Sequence, residues 1–243
     1  MRRNSGPFLL VMAVTAVGLT TASVEAFARA GGGGGGGGKI SLILMLILLP
    51  LVAIYSAIVS YIVNKKHAQC TNLLEKLEQA DASWNLEGIE RRVKRVYFKV
   101  QEAWMQRDQS VAREFMSERL YEEHKMRTDL MRSEHRKNVL ENIELRQARV
   151  VNVSDYADDS KDCLWIYIEG AMIDYIVDDQ TGKRISGNSS RREWFAELWR
   201  LVRGKDGWVL DEIQQSANIF DLSRLHPFVE NVRFPSGAPS TTS

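Results

Sequence analysis

Polar and apolar residues are spread very unevenly along this chain, and their spacing divides it into a leader and a domain. From Asn4 to Val24, and again from Ile40 to Asn64, no residue is charged. Within the second stretch, Ile40 to Val63, all 24 residues except Ser41, Pro50, Ser56 and Ser60 are apolar. At about 1.5 Å per residue such a helix exceeds the roughly 30 Å hydrocarbon core of a bilayer, so a tilted transmembrane helix over 40–63 is predicted. Pro50 predicts a kink that membrane helices tolerate. Tyr61, near the end, and Tyr55 suit the interface.

Beyond Val63 the pattern becomes amphipathic. Leu73, Leu74, Leu77 and Ala80 recur at helical spacing and predict a juxtamembrane helix over 64–82. A second helix opens at Trp84-Asn85-Leu86-Glu87. It carries Leu86, Ile89, Val93, Val96 or Tyr97, Val100, Ala103 and Trp104 on one face, with Arg91, Arg92, Lys94 and Arg95 interspersed as a basic face. A third runs from about Ser110 to Arg136, with Asp108 as the cap at the break. After Lys137 strands follow. They are Val139 to Val153, then Leu164 to Val177, which has almost no polar relief and is turned back by Gln180-Thr181-Gly182-Lys183. Trp194 to Val202 and Trp208 to Gln214 then flank the hairpin turn Gly204-Lys205-Asp206-Gly207. Helices followed by antiparallel strands predict an α+β domain over 83–220, its N-terminal helices packed on a curved sheet around a cone-shaped cavity. A tail, 221–243, ends in a Ser-, Thr-, Gly- and Pro-rich run from Pro235 that reads as disordered.

Ahead of the span, Arg2 and Arg3, the apolar stretch Phe8 to Leu19 and the small residues after it have the layout of a secretory signal, with Val24-Glu25-Ala26 and Ala26-Phe27-Ala28 as cleavage contexts. A retained first membrane segment is the alternative, so 1–28 is one or the other. Residues 29–39 form a flexible glycine-rich segment. Its run Gly31 to Gly38 before Lys39 grazes a phosphate-binding loop, but Ile40 follows and no strand precedes it.

Composition changes the picture only when it is divided. The 243 residues are 44% apolar and 26% charged, with a net charge of +1. Residues 1–63 hold only Arg2, Arg3, Arg29, Lys39 and Glu25 as charges, leaving 28 basic and 30 acidic residues beyond them. A domain with that balance excludes a protein that coats nucleic acid. Cys70 and Cys163 are too few and too far apart for a disulfide scaffold. The cations Lys65 and Lys66, and further on Arg91, Arg92, Lys94 and Arg95, outweigh Arg29 and Lys39 before the span, which puts the C-terminal side in the cytoplasm whether the leader is cleaved or kept. The same six residues are candidates for contact with anionic headgroups, at about 1 kcal/mol each. A solvated helix face is the other reading of the Arg91–Arg95 segment.

Candidate chemistry is sparse. His67, His124, His135 and His226 show no metal spacing, the cysteines form no CxxC pair, and neither a G-x-S-x-G turn nor a dinucleotide fingerprint occurs. No metal, cofactor or catalytic set is expected. Asp174 interrupts an apolar strand and is the best acid–base candidate, against a structural, hydrogen-bonded acid as the alternative. Glu197 and Glu212 fall on adjacent strands, but their faces cannot be assigned. Trp104, Trp165, Asp174, Tyr175 and Trp199 are the candidate pocket residues. Trp194 and Trp208 are further wall candidates, and simple core packing is the alternative for all the aromatics. Asn152-Val153-Ser154 and Asn188-Ser189-Ser190 match the glycosylation pattern, which has no meaning in a cytoplasmic domain.

An ordered series of segments resembles the Tim44-like domain family over about residues 80–218. It comprises Val100-Gln101-Glu102-Ala103-Trp104, Asp108, Phe115 to Tyr121, Asn138 to Ile143, Asp174 to Asp178, Phe195 to Trp199 and Trp208 to Gln215. With a signal, a glycine-rich stretch and one span before the domain, the chain looks like the bacterial members. The resemblance implies a cone similar to nuclear transport factor 2 with a large apolar pocket. The mitochondrial relative is a peripheral inner-membrane protein joining the import channel to the Hsp70 motor, and a mitochondrial ribosomal protein shares the domain. This chain lacks the long segment that recruits Hsp70 and has a span instead, so membrane-proximal binding carries over more safely than motor tethering. The expected function is a membrane-anchored, non-catalytic adaptor binding a partner protein or lipid at the inner face of the membrane, linked to membrane-protein assembly or transport. The alternative is a small-molecule-binding or enzymatic domain using Asp174. Partners expected are the bilayer and a membrane or cytoplasmic protein, with no nucleic acid and with homo-oligomerisation left open.

Overall fold

The computed structural model describes residues 37–230, with side chains from Leu46 onward. The expectations for the leader 1–28, for the glycine-rich segment as far as Gly36 and for the tail after Glu230 lie outside the described residues.

Helix α1 (Gly37–Glu78) is one rod of 42 residues that includes Pro50. The sequence divides this stretch into a span and a separate juxtamembrane helix, but nothing separates them here. Residues 64–78 contain neither Gly nor Pro, so no backbone breaker marks the change from all-apolar to amphipathic. Asn85 caps α2 (Leu86–Gln106), its side chain accepting from Gly88 N at 2.7 Å. The predicted third helix is resolved differently. Asp108 does act as a cap, but of a 3₁₀ segment, Gln109–Phe115; Ser117 then caps α3 (Glu118–Ser133), and Arg136 already belongs to the first strand.

The sheet consists of β1 (Arg136–Asp155), β2 (Cys163–Asp178), β3 (Arg184–Gly187), β4 (Glu193–Gly204), β5 (Gly207–Gln215) and β6 (Phe228–Val229). Its order is β5-β4-β2-β1-β6, with β3 paired to β2. All pairings are antiparallel except that of β6 with β1. Register shifts at three places along β1 put extra residues into that strand, and bulges of this kind bend and twist a sheet. The short helix α4 (Ile219–Arg224) and β6 occupy part of the stretch read from sequence as tail. Asn218 and Asp221 close a reciprocal capping box that starts α4.

Alternation along β2 sorts the core into two faces. Leu164, Ile166, Ile168 and Met172 point inward, where α2 lays down Ile89, Val93, Val96, Tyr97 and Val100. Trp165 and Tyr167 point to the outer face, which holds a second cluster with Val151, Ala196, Leu198, Ala217 and Leu222. Helix α1 takes part in both. Val59 and Val63 are buried in the outer cluster, while Cys70 and Leu74, both fully buried, belong to the inner one. Between them the His67 ring nitrogen Nδ1 lies 3.3 Å from the carbonyl of Val150 on β1. The helix therefore passes from one face of the sheet to the other around β1. Before Val59, Leu46, Ile47, Leu48, Leu51, Ile54 and Ile58 are all exposed, while Tyr55 is partly buried against the outer cluster.

Candidate binding pocket

The inner face of the sheet, α2 and α3 enclose a cavity of about 440 Å³, within the roughly 300–1,000 Å³ range of small-molecule sites. Its apolar wall includes Trp104, Leu120, Leu140, Met172, Phe195 and Trp199. Arg119, Glu123 and Arg127 contribute charges from α3, and Glu212 contributes one from β5. Arg119 is fixed by ion pairs with Glu123 at 3.6 Å and with Asp211 at 3.2 Å, and Asp211 also accepts from Ser117 and Arg200.

Two ionisable groups lie deep in the wall. Glu197 is buried and accepts from Trp199 Nε1 at 2.8 Å. Burial pushes its carboxyl up to about 7, with the indole hydrogen bond pulling the other way. His124, also buried, stands edge-on to the Trp104 ring, and burial together with the nearby Arg127 charge brings its imidazole down to about 4. The pocket thus holds an imidazole kept neutral and a carboxyl that ionises near neutral pH, alongside the charged Arg119, Glu123, Arg127 and Glu212.

The sequence-predicted pocket residues divide by strand parity. Trp104 and Trp199 line the cavity. Trp165 does not: it lies on the outer face and packs against the cluster that holds Val59 and Val63. Tyr175 is also on the outer face, its hydroxyl donating to Glu141 at 2.7 Å. Asp174 shares the inner face with Met172 yet is not part of the cavity wall. It accepts from Asn138 Nδ2 at 2.6 Å, and Asn138 Oδ1 in turn accepts from Trp104 Nε1 at 2.9 Å. Burial raises the Asp174 carboxyl, Asn138 lowers it, and Glu193 raises it further. The arrangement is that of a structural acid holding Asn138 and, through it, the Trp104 indole. The other two wall candidates are elsewhere. Trp194 stacks under Arg146 at 4.4 Å, and Trp208 packs on Trp84 with its N–H donating to Ser83 O.

The six basic residues also separate. Lys65, Arg91, Lys94 and Arg95 are exposed. Arg91 pairs with Glu87. Arg92 is folded in: its guanidinium donates to Trp208 O at 2.8 Å and Glu114 O at 2.7 Å and lies 4.5 Å over the Phe115 ring. Arg92 is thus mostly engaged within the domain, with 13% of its side chain exposed. Lys66 is half-buried, with Nζ donating to the carbonyl of Leu225. Glu197 and Glu212, whose faces the sequence leaves open, both line the cavity; the face of Glu197 is not legible because it stands between Ala196 and Leu198 on a strand buried on both faces.

A curled antiparallel sheet with helices closing a cavity on its inner face defines an α+β cone of the nuclear transport factor 2 type. The Tim44-like domain model matches residues 71–215, more than half of the chain, and the chain belongs to the Tim44-like domain family. A search of curated proteins returned no match. Among solved structures, the intermembrane space region of the chloroplast protein ARC6 is similar at 14% identity and a TM-score of 0.36, over 53% of this chain and 97% of that one.

Proposed function

We propose that this chain is a membrane-anchored adaptor. Helix α1 crosses a bacterial inner membrane, the Tim44-like domain stands on the cytoplasmic side, and the cone receives an apolar element of a partner protein engaged in membrane-protein assembly or transport. The observation that carries the reading is the two-part burial of α1: exposed apolar side chains at Leu46, Ile47, Leu48, Leu51, Ile54 and Ile58, then Val59 and Val63 sealed into the domain. A bare apolar helix of that length is stable when lipid covers it. The orientation argument keeps Lys65 and Lys66 even though Lys66 is hydrogen-bonded after folding, because flanking charge acts while the chain is being inserted.

A lipid chain in the same cavity is a second reading, favoured by the Arg119 and Arg127 cations in its wall, for which a phosphate would compete with Glu123 and Asp211. Acid–base catalysis by Asp174 has less support, since Asn138 occupies that carboxyl and Asp174 is outside the cavity wall.

The test is site-specific photo-crosslinking in native membranes from Gln101, at the cavity, and from Met126, exposed on α3. A protein adduct formed from Gln101 but not from Met126, and lost when Ile213→Trp fills the cavity, is the expected result. A lipid adduct alone would favour the second reading. Equal crosslinking from both positions, indifferent to Ile213→Trp, would remove the pocket from the account.

A further inference from the structure

Residues 216–230 lie beyond the part of the chain matched by the family model, and they form a hook over α1. Leu222 is fully buried in the cluster with Val59 and Val63, and Ile219 and Leu225 pack on the same cluster. At one end of the hook Leu225 O is held by Lys66 Nζ. At the other, Ala217 N donates to Ala196 O at 3.0 Å.

These ties set the direction of α4. On the outer face of the sheet, Trp165, Tyr167 and Glu169 pair with Arg200, Leu198 and Ala196 in that order. Tyr55 packs on the cluster that holds Tyr167 of β2, whereas His67, about three turns later on α1, reaches the Val150 carbonyl of β1 and the adjacent Lys66 holds Leu225 O. The sheet order puts β4 on the far side of β2 from β1, so Ala196 of β4, and with it Ala217, is toward the Tyr55 end. Helix α4 runs alongside α1 with its first residues toward the bare apolar stretch and its last toward Lys66. Six helical residues rise about 9 Å, so Phe220 stands close to the level of Val59 to Tyr61.

That level is where the apolar stretch first becomes buried, at Val59. Counted from Ile40 to Ile58 it has 19 residues, and at about 1.5 Å each they match a roughly 30 Å hydrocarbon core. Phe220 is 76% exposed and Tyr61 67% exposed at this boundary. Lys65 and Arg224, both exposed, come about one turn further from the apolar stretch, the depth of lipid phosphates. We infer that the tip of α4 is a second membrane contact: Phe220, with Tyr61, enters the headgroup–acyl boundary beside the span while Lys65 and Arg224 meet lipid phosphate. This deepens the proposed function and rests on α1 crossing the bilayer. Its consequence is a domain held against the membrane in one orientation, because the hook that inserts is the hook that fixes α1 to the sheet.

The test uses the full chain in vesicles of phosphatidylcholine and phosphatidylglycerol. Phe220→Cys, Ile54→Cys and Met126→Cys are each labelled with a polarity-sensitive fluorophore; the native Cys70 and Cys163 are buried, and the three positions are exposed, so none of the substitutions removes a core contact. Nitroxide placed near the headgroup end of the lipid chain should quench the label at 220 at least twofold more than the label at 126, with a blue-shifted emission at 220. Quenching at 54 but no more at 220 than at 126 would overturn this inference alone. Absence of quenching at 54 would overturn the span itself, and this inference with it.

Discussion

Lys66 donates from Nζ to the main-chain carbonyl of Leu225 at 2.5 Å, joining two residues 159 positions apart. The bond fastens the exit of the apolar helix to the end of the C-terminal hook, and Leu222 fills the space between them. Leu222→Ala should lower the stability of the chain in detergent by about 2–5 kcal/mol, the range for a fully buried leucine. Lys66→Met should cost about 1 kcal/mol. Urea unfolding followed by tryptophan fluorescence checks both. Equal, negligible effects would mean that the hook is not packed on α1.

Arg203 is the junction between the first turn of the domain and the sheet. It donates to Asp162 at 2.9 Å and to Asp81 and Ser83, and its guanidinium lies over both Trp84 and Trp208. Asp162 has no exposed surface. Arg203→Met leaves that carboxylate without its ion-pair partner, with only Tyr156 N still donating to it at 2.8 Å, and should cost about 3 kcal/mol. Adding Asp162→Asn should restore part of the loss. A double variant as unstable as the single one would place the effect in the tryptophan stacking instead.

Much of this architecture is legible in the sequence. The change from 3.6-residue to alternating periodicity near Lys137, the Asn85 cap and the Gly204–Gly207 turn lead to the right elements in the right order. Three features are not legible for definite reasons. Val59 and Val63 have the same side chain whether they face lipid or a sheet, so the end of the exposed span cannot be read from apolarity. Strand β2 is covered on both faces, which erases the alternation that would have put Trp165 and Tyr175 on one side and Asp174 on the other. Helix α4 is too short for a periodic signal, although Asn218 and Asp221 carry a capping pattern that marks its start.

Two pocket groups should give stability opposite dependences on pH. Glu197 titrates at 4.5 in the unfolded chain and at about 7 in the fold, so its contribution is full below pH 4.5 and is lost as pH rises through 7. His124, at 6.5 unfolded and about 4 folded, contributes fully above pH 6.5 and loses its contribution as pH falls through 4. Each is worth roughly 3 kcal/mol at most, and between pH 4.5 and 6.5 they offset one another. Glu197→Gln should therefore make the protein gain stability with pH across that window, and His124→Phe should make it lose stability. Urea midpoints at pH 4.5 and 6.5 decide it; parallel profiles for the two variants would contradict the assignment.

Gly170 is required by a close approach. A Cβ there would stand 2.4 Å from the Phe195 ring and 2.9 Å from both Glu144 O and the Tyr97 hydroxyl. Gly170→Ala should cost about 1–3 kcal/mol through overpacking and push Phe195 toward the cavity. A lower unfolding midpoint together with reduced uptake of an apolar fluorescent probe is the expected pair of results. Unchanged uptake would show that Phe195 yields in another direction.

The central claim, that α1 holds a pocket-bearing domain at the cytoplasmic face of a membrane, is tested most directly by labelling Met126→Cys with a membrane-impermeant maleimide in intact spheroplasts and after permeabilisation. Met126 is 68% exposed on α3, and the native cysteines are buried. The account predicts a membrane-bound protein that is labelled only after permeabilisation. Full labelling in intact spheroplasts, or a protein found in the soluble fraction, would contradict it.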